Sequence, residues 1–169
     1  MAAGRALTIG STCGHLCPVT DTPPLNIHAS CVALSVDGVW CGVLLRGPSG
    51  AGKSDLAIRL IESGARLVAD DRTDLVPEGD ALMARPPMVL AGLIEARGVG
   101  ILRLHADQLL ATAPVRLIVD LVPAPAIERM PEALIEMLCG VRIPLCRLTA
   151  FEASTPAKIR LALSASRAS

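Results

Sequence analysis

Eight consecutive residues, Gly47-Pro48-Ser49-Gly50-Ala51-Gly52-Lys53-Ser54, fit the pattern G-x-x-x-x-G-K-[ST], whose chemistry is phosphate binding. A loop that must turn several amides toward one anion cannot carry bulky side chains. The helix that follows such a loop adds its positive N-terminal dipole. Lys53 is placed to reach the β- and γ-phosphates of ATP, and the Ser54 hydroxyl to hold Mg²⁺. The chain has two lysines, Lys53 and Lys158, against fourteen arginines, so lysine stands where a compact ammonium is wanted.

The elements around this loop suit it. An apolar strand-like stretch, Val39 to Leu45, leads in, and Asp55 to Ser63 reads as an amphipathic helix stopped by Gly64. Ala29 to Leu45 splits into two strands at Asp37-Gly38, a hairpin signal. Ala65 to Asp71 is a short apolar strand ending in the two carboxylates Asp70-Asp71, and Asp74 to Ala84 is a strand pair turning near Glu78-Gly79-Asp80. Arg85-Pro86-Pro87 starts a loop, because proline cannot continue a ladder. Leu93 to Leu104 is a glycine-bearing segment running into an apolar strand, and Asp107 to Ala113 is assigned to a short helix. Pro114 to Val122 is a buried strand, and Ile127 to Leu138 has helical spacing interrupted by Pro131. Val141 to Leu148, with Pro144 inside it, is expected at a sheet edge, and Ser154-Thr155-Pro156 opens a last helix reaching about Ala165. Strands mixed with helices around such a loop indicate an α/β P-loop nucleotide-binding sandwich with a mixed β-sheet.

Residues 1–26, rich in Gly, Ser, Thr and Pro, read as a flexible leader, which leaves residues 27–169 as one catalytic domain. Trp40 and Phe151 are the only aromatic residues, which argues against a single-strand nucleic-acid binder. Sixteen acidic residues balance sixteen basic ones, so no footprint for DNA or a membrane surface stands out. With no apolar run near the ~20 residues of a membrane span and no secretory signal, the chain is expected in the cytoplasm. Its six cysteines then read as free thiols, with Cys31, Cys41 and Cys146 as small core residues. Cys13-Gly14-His15-Leu16-Cys17 lacks a second ligand pair at zinc spacing and is assigned to a dispensable tail.

A P-loop works with a further carboxylate near the metal, commonly at the end of an apolar strand. Two strands qualify. Asp120 closes Leu117-Ile118-Val119, the generic pattern, and on pattern alone it is slightly ahead as metal ligand. Asp70 and Asp71 stand seventeen and eighteen residues after Lys53. Adjacent carboxylates repel, which suits proton transfer, but consecutive strand side chains point to opposite faces, so at most one is expected to face the site.

The assembly as a whole resembles the catalytic domain of HPr kinase/phosphorylase. The matching stretches are His28-Ala29-Ser30, the loop Gly47 to Ser54, Leu67 to Arg72, and Leu93-Ile94-Glu95-Ala96-Arg97-Gly98-Val99-Gly100-Ile101. The last looks like the family's signature segment. The resemblance covers roughly residues 27–165, the short form without a separate N-terminal domain, and departs from the family at Ala29, where glycine is usual. It implies ATP-dependent phosphorylation of a serine on an HPr-type phosphocarrier protein, with phosphate-dependent reversal, and a hexameric assembly. It also implies His28, Lys53 and Asp71 as catalytic residues, and Ser54 and Glu95 as Mg²⁺ ligands. Asp71 would accept the serine proton and return it in reverse, and Asp120 would revert to a core-strand aspartate. Arg97, Gly98, Val99 and Gly100 are assigned to partner docking. The family's late-loop arginine has Arg147 and Lys158 as its candidates. Two further classes stay open: a small-metabolite P-loop kinase, and a nucleotide-binding regulator with little catalysis.

Overall fold

The computed structural model describes residues 23–167. The Cys13–Cys17 cluster and most of the assigned leader lie outside the described residues. Among them, nine strands build one mixed sheet, two more form a separate hairpin, and two α-helices pack on the sheet. The strands are β1 (Leu25–Ile27), β2 (Ala29–Val36), β3 (Val39–Arg46), β4 (Arg66–Ala69), β5 (Thr73–Glu78) and β6 (Ala81–Arg85). They continue as β7 (Leu93–Ala96), β8 (Gly100–Arg103), β9 (Ala113–Leu121), β10 (Leu134–Leu138) and β11 (Val141–Leu148). The helices are α1 (Lys53–Glu62) and α2 (Thr155–Arg167).

The sheet runs β1-β5-β6-β9-β3-β2-β4, with β11 and then β10 branching from β9. Strand β9 organises it. Along one edge β9 pairs in parallel with β3; along the other its first residues meet β6 antiparallel and its last four meet β11 in parallel. Alternation in β3 separates two cores. Val43 and Leu45 face Leu56 and Leu60 of α1 and Ile159 and Leu163 of α2, whereas Leu44 packs with Val68, Leu75, Leu82, Ile118 and Ile143 on the other side. One face is thus covered by helices and the other by the curled outer strands.

The β2–β3 turn is the expected one, with Asp37 and Gly38 at φ 51° and 77°. Helix α1 ends in a Schellman motif: Ala65 N–H donates to Leu60 O at 3.0 Å and Gly64 N–H to Ile61 O at 2.9 Å. Cys31 and Cys41 are buried free thiols, and burial pushes the Cys31 thiol up to about 12.

Four local expectations are corrected. Strand β1, paired with β5 from Leu25↔Leu75 to Ile27↔Thr73, lies largely within the segment assigned to the leader. Residues 107–113 do not form an α-helix. A single 3-10 turn, Ala106–Gln108, is followed by Leu110 N–H donating to Leu67 O at 2.9 Å, which pulls the chain onto the sheet edge. Residues 127–138 are not helical either: the segment ends in β10, whose backbone groups are taken by β11. Strand β11 is therefore no edge strand. Pro144 is tolerated because pairing with β9 begins only at Leu145, so its missing N–H is not needed on that side.

Candidate active site

The loop Gly47–Gly52 joins the end of β3 to the start of α1. Three of its glycines have positive φ, and two of these are closely packed. A Cβ on Gly47 would stand 2.9 Å from the Ala51 Cβ and 3.2 Å from the Leu121 carbonyl oxygen. One on Gly52 (φ 89°) would stand 2.7 Å from both the Ala150 Cβ and the Phe151 Cζ. Bulkier residues would displace the loop from both supports. Lys53, the first residue of α1, is buried and donates through Nζ to Gly47 O at 2.9 Å and Pro48 O at 3.1 Å. Burial lowers its ammonium pKa, and the nearby Asp71 and Asp70 charges oppose that shift.

Asp70, directly after β4, is buried and collects donors. The Ser54 hydroxyl reaches its two oxygens at 2.9 and 3.0 Å, the Ser30 hydroxyl donates to Oδ1 at 2.6 Å, and the Glu95 backbone N–H to Oδ2 at 3.0 Å. One carboxylate therefore ties together β2, the helix start and the β7–β8 hairpin. Asp71 then adopts the left-handed conformation, φ 64°. Only Asp71 lines the cleft, while Asp70 lies buried behind Ser54, in keeping with the expectation that at most one of the two would face the site. Asp71 is exposed and its Oδ1 lies 3.4 Å from His28 Nε2.

A cleft of about 260 Å³ gathers His28, Ser49, Gly50, Gly52, Lys53, Ser54, Asp71, Glu95, Arg97 and Phe151. His28, Lys53, Ser54, Asp71, Glu95 and Arg97, each singled out in the sequence, thus meet in one place. Gly98 and Gly100, with φ 85° and 124°, form the exposed tip of the β7–β8 hairpin, where a Cβ on either would meet open space. Val99 beside them is exposed.

Asp120 is elsewhere. It accepts from Arg46 Nε at 2.8 Å, and Arg46 also donates to Glu136 through both terminal nitrogens at 2.6 Å. The generic strand-end pattern is correct about the strand and wrong about the site, because the carboxylate is taken by the last residue of β3. Arg147 is exposed on β11 opposite Asp120, Lys158 pairs with Glu152, and neither lines the cleft. Asp70 and Phe151 are the contributors that the sequence underrated. The double aspartate after β4 was the available signal for the first. A larger cleft of about 460 Å³ lies by Val39, Arg116 and Arg142, at the opposite end of β3 from the loop, and holds none of these groups.

Sheet order, loop and cleft define a P-loop α/β sandwich. The family model described as HPr serine kinase C-terminal domain matches residues 23–159, and the chain belongs to that family. Residues of this chain are 43% identical over 79 positions to the HPr kinase/phosphorylase of Enterococcus faecalis, covering 46% of this chain and 25% of that protein. The HPr kinase/phosphorylase of Clostridium acetobutylicum is 39% identical over 84 residues, covering 50% and 26%. The matched part thus spans about a quarter of the length of these curated relatives. The solved Hpr(Ser) kinase/phosphatase of Coxiella burnetii superposes with a TM-score of 0.72 at 26% identity, over 85% of this chain and 91% of the other. No helix among the described residues is long and apolar enough to cross a membrane.

Proposed function

We propose that this protein transfers the γ-phosphoryl group of ATP to a serine of an HPr-type phosphocarrier protein and, with inorganic phosphate as acceptor, removes it again. The observation that carries this is the convergence of Lys53, Ser54, Asp71, His28 and Glu95 on one cleft in a chain of this family. Glycine amides and the α1 N-terminus bind the phosphates. Lys53, held by loop carbonyls, offsets charge that develops on the transferred group. Mg²⁺ fits the donors present, since Ser54 Oγ is oriented by Asp70 and Glu95 adds a second hard oxygen at the cleft. When bound, the ion supplies charge neutralisation on the phosphates.

Asp71 is the general base that takes the serine proton, and the same carboxyl returns it when phosphate attacks phosphoserine. His28, 3.4 Å away, orients that carboxylate. The Arg97–Gly100 tip, exposed beside the cleft, is the docking contact for the protein substrate. We place the enzyme in the cytoplasm, where its phosphocarrier partner and ATP are available, and infer a homo-oligomer by likeness to the family.

The test is incubation with γ-labelled ATP, Mg²⁺ and an HPr-type protein. Label on serine, lost in Lys53→Ala, supports the assignment. Nucleotide binding without label would replace it by the regulator.

A further inference from the structure

The phosphoryl transfer proposed above makes no use of the ring of Phe151, yet that ring lies against the P-loop at Gly52. One of two aromatic residues in the chain, it is 71% exposed, forgoing burial that such a side chain ordinarily gains. Its backbone is nonetheless fixed. Arg59 of α1 donates to the carbonyls on either side, Ala150 and Glu152, and is itself oriented by Asp55 at 3.0 Å. The Thr155 hydroxyl holds the Thr149 carbonyl at 2.6 Å. The ring lies against Gly52, where any Cβ would collide with it, and forms part of the cleft wall with Lys53 and Ser54. The molecule thus holds an exposed, flat apolar surface at a fixed place beside the phosphate cradle.

We propose that Phe151 is the nucleobase platform of this site, a proposal that rests on the ATP-dependent assignment above. A ribose and an α-phosphate separate the base from loop-held phosphates, so the base belongs at the rim, where Phe151 lies. Stacking on an aromatic face needs no hydrogen-bond complement and accepts any base, because every base has a π-face. The site therefore binds purine triphosphates with little choice between adenine and guanine. Its affinity for the base comes from one side chain, and its affinity for the phosphates from another set.

The two sets are separated by measuring Kd for ATP, GTP and inorganic tripolyphosphate, with Mg²⁺, on wild type, Phe151→Ala, Phe151→Trp and Lys53→Ala. Phe151→Ala weakens ATP and GTP alike by about 5- to 150-fold, the range of one base–aromatic stack, and leaves tripolyphosphate unchanged. Phe151→Trp retains ATP affinity, and its added fluorescence changes with ATP but not with tripolyphosphate. Unchanged ATP binding in Phe151→Ala, or an equal loss for tripolyphosphate, overturns the platform while leaving the phosphate site intact. Wild type that binds neither ATP nor tripolyphosphate, or binds them as Lys53→Ala does, overturns both the platform and the phosphotransfer assignment.

Discussion

The ends of β4 and β9 carry the same chemical group in different company. At the β4 end, Asp70 is buried and accepts from two hydroxyls and a backbone amide, and the next residue, Asp71, turns left-handed and lines the cleft. At the β9 end, Asp120 faces Arg46, which it shares with Glu136. The difference lies in the neighbours. Hydroxyl and amide donors leave a carboxylate's negative charge available to a cation, whereas a guanidinium cancels it. An aspartate closing an apolar strand is thus a site residue only if the adjoining strand end does not present an arginine. The Arg46 pair instead fixes the strand end from which the phosphate loop departs and ties the β10 edge to it.

The sharpest way to break this comparison is to neutralise each end. Asp71→Asn should lower serine phosphorylation and phosphorolysis by about 10²–10⁴-fold, the share of a general base, with ATP binding retained. Forward and reverse rates at saturating ATP and Mg²⁺ measure it, and near-normal rates beside a folded but inactive Asp120→Asn would invert the two roles. Asp70→Asn should act through Ser54 and raise the Mg²⁺ requirement about 10- to 100-fold, as loss of an outer-shell partner does. A magnesium titration of the initial rate reads it, and a shift in kcat alone would place Asp70 in proton transfer instead.

Asp120→Asn should keep the rates within a few-fold and lower stability by about 1 kcal/mol, the scale for partly exposed ion pairs. Urea unfolding measures that loss. The smallest effect concerns pH. The Arg46 hydrogen bond holds the Glu136 carboxyl below the ordinary glutamate range. A carboxylate depressed by folding contributes stability above its unfolded pKa, about 4.3, and loses it as pH falls toward the folded value. The melting temperature of Glu136→Gln should therefore fall less steeply than wild type below about pH 4, and parallel curves would remove Glu136 from the network.

The central fold is legible in the sequence wherever local chemistry and tertiary context agree. Asp37-Gly38 dictates a tight turn, Gly50 and Gly52 permit the loop, and Thr155-Pro156 starts α2. It is not legible where pairing overrides spacing. Ile127, Met130, Leu134 and Leu138 repeat at three and four residues like a helix, yet β11 claims the backbone of Leu134–Leu138. His28, Lys53, Ser54, Asp71, Glu95 and Arg97 stand out in the sequence by motif, and the fold brings them to one cleft. Their geometry is not legible, since spacing alone does not tell that Asp70 is buried against Ser30 and Ser54 while Asp71, at φ 64°, lines the cleft. Phe151 escapes for a similar reason: only the folded loop brings it to Gly52.

The contact of Gly47 with Leu121 bears on the order in which the molecule acquires its abilities. Hairpins β2–β3, β5–β6, β7–β8 and β10–β11 close between neighbours in sequence. The cradle, by contrast, rests on β9, whose Asp120 is 74 residues from Arg46. Joining segments so distant in the chain is slow compared with forming hairpins. We expect a refolding chain to regain most of its strand signal before it can hold a phosphate, and a ribosome-bound chain ending before Ala113 to carry the whole loop without its support. Stopped-flow refolding followed by circular dichroism and by nucleotide binding would show this as a lag, and simultaneous recovery would contradict it. Competence for ligand is then a late event in the life of each copy.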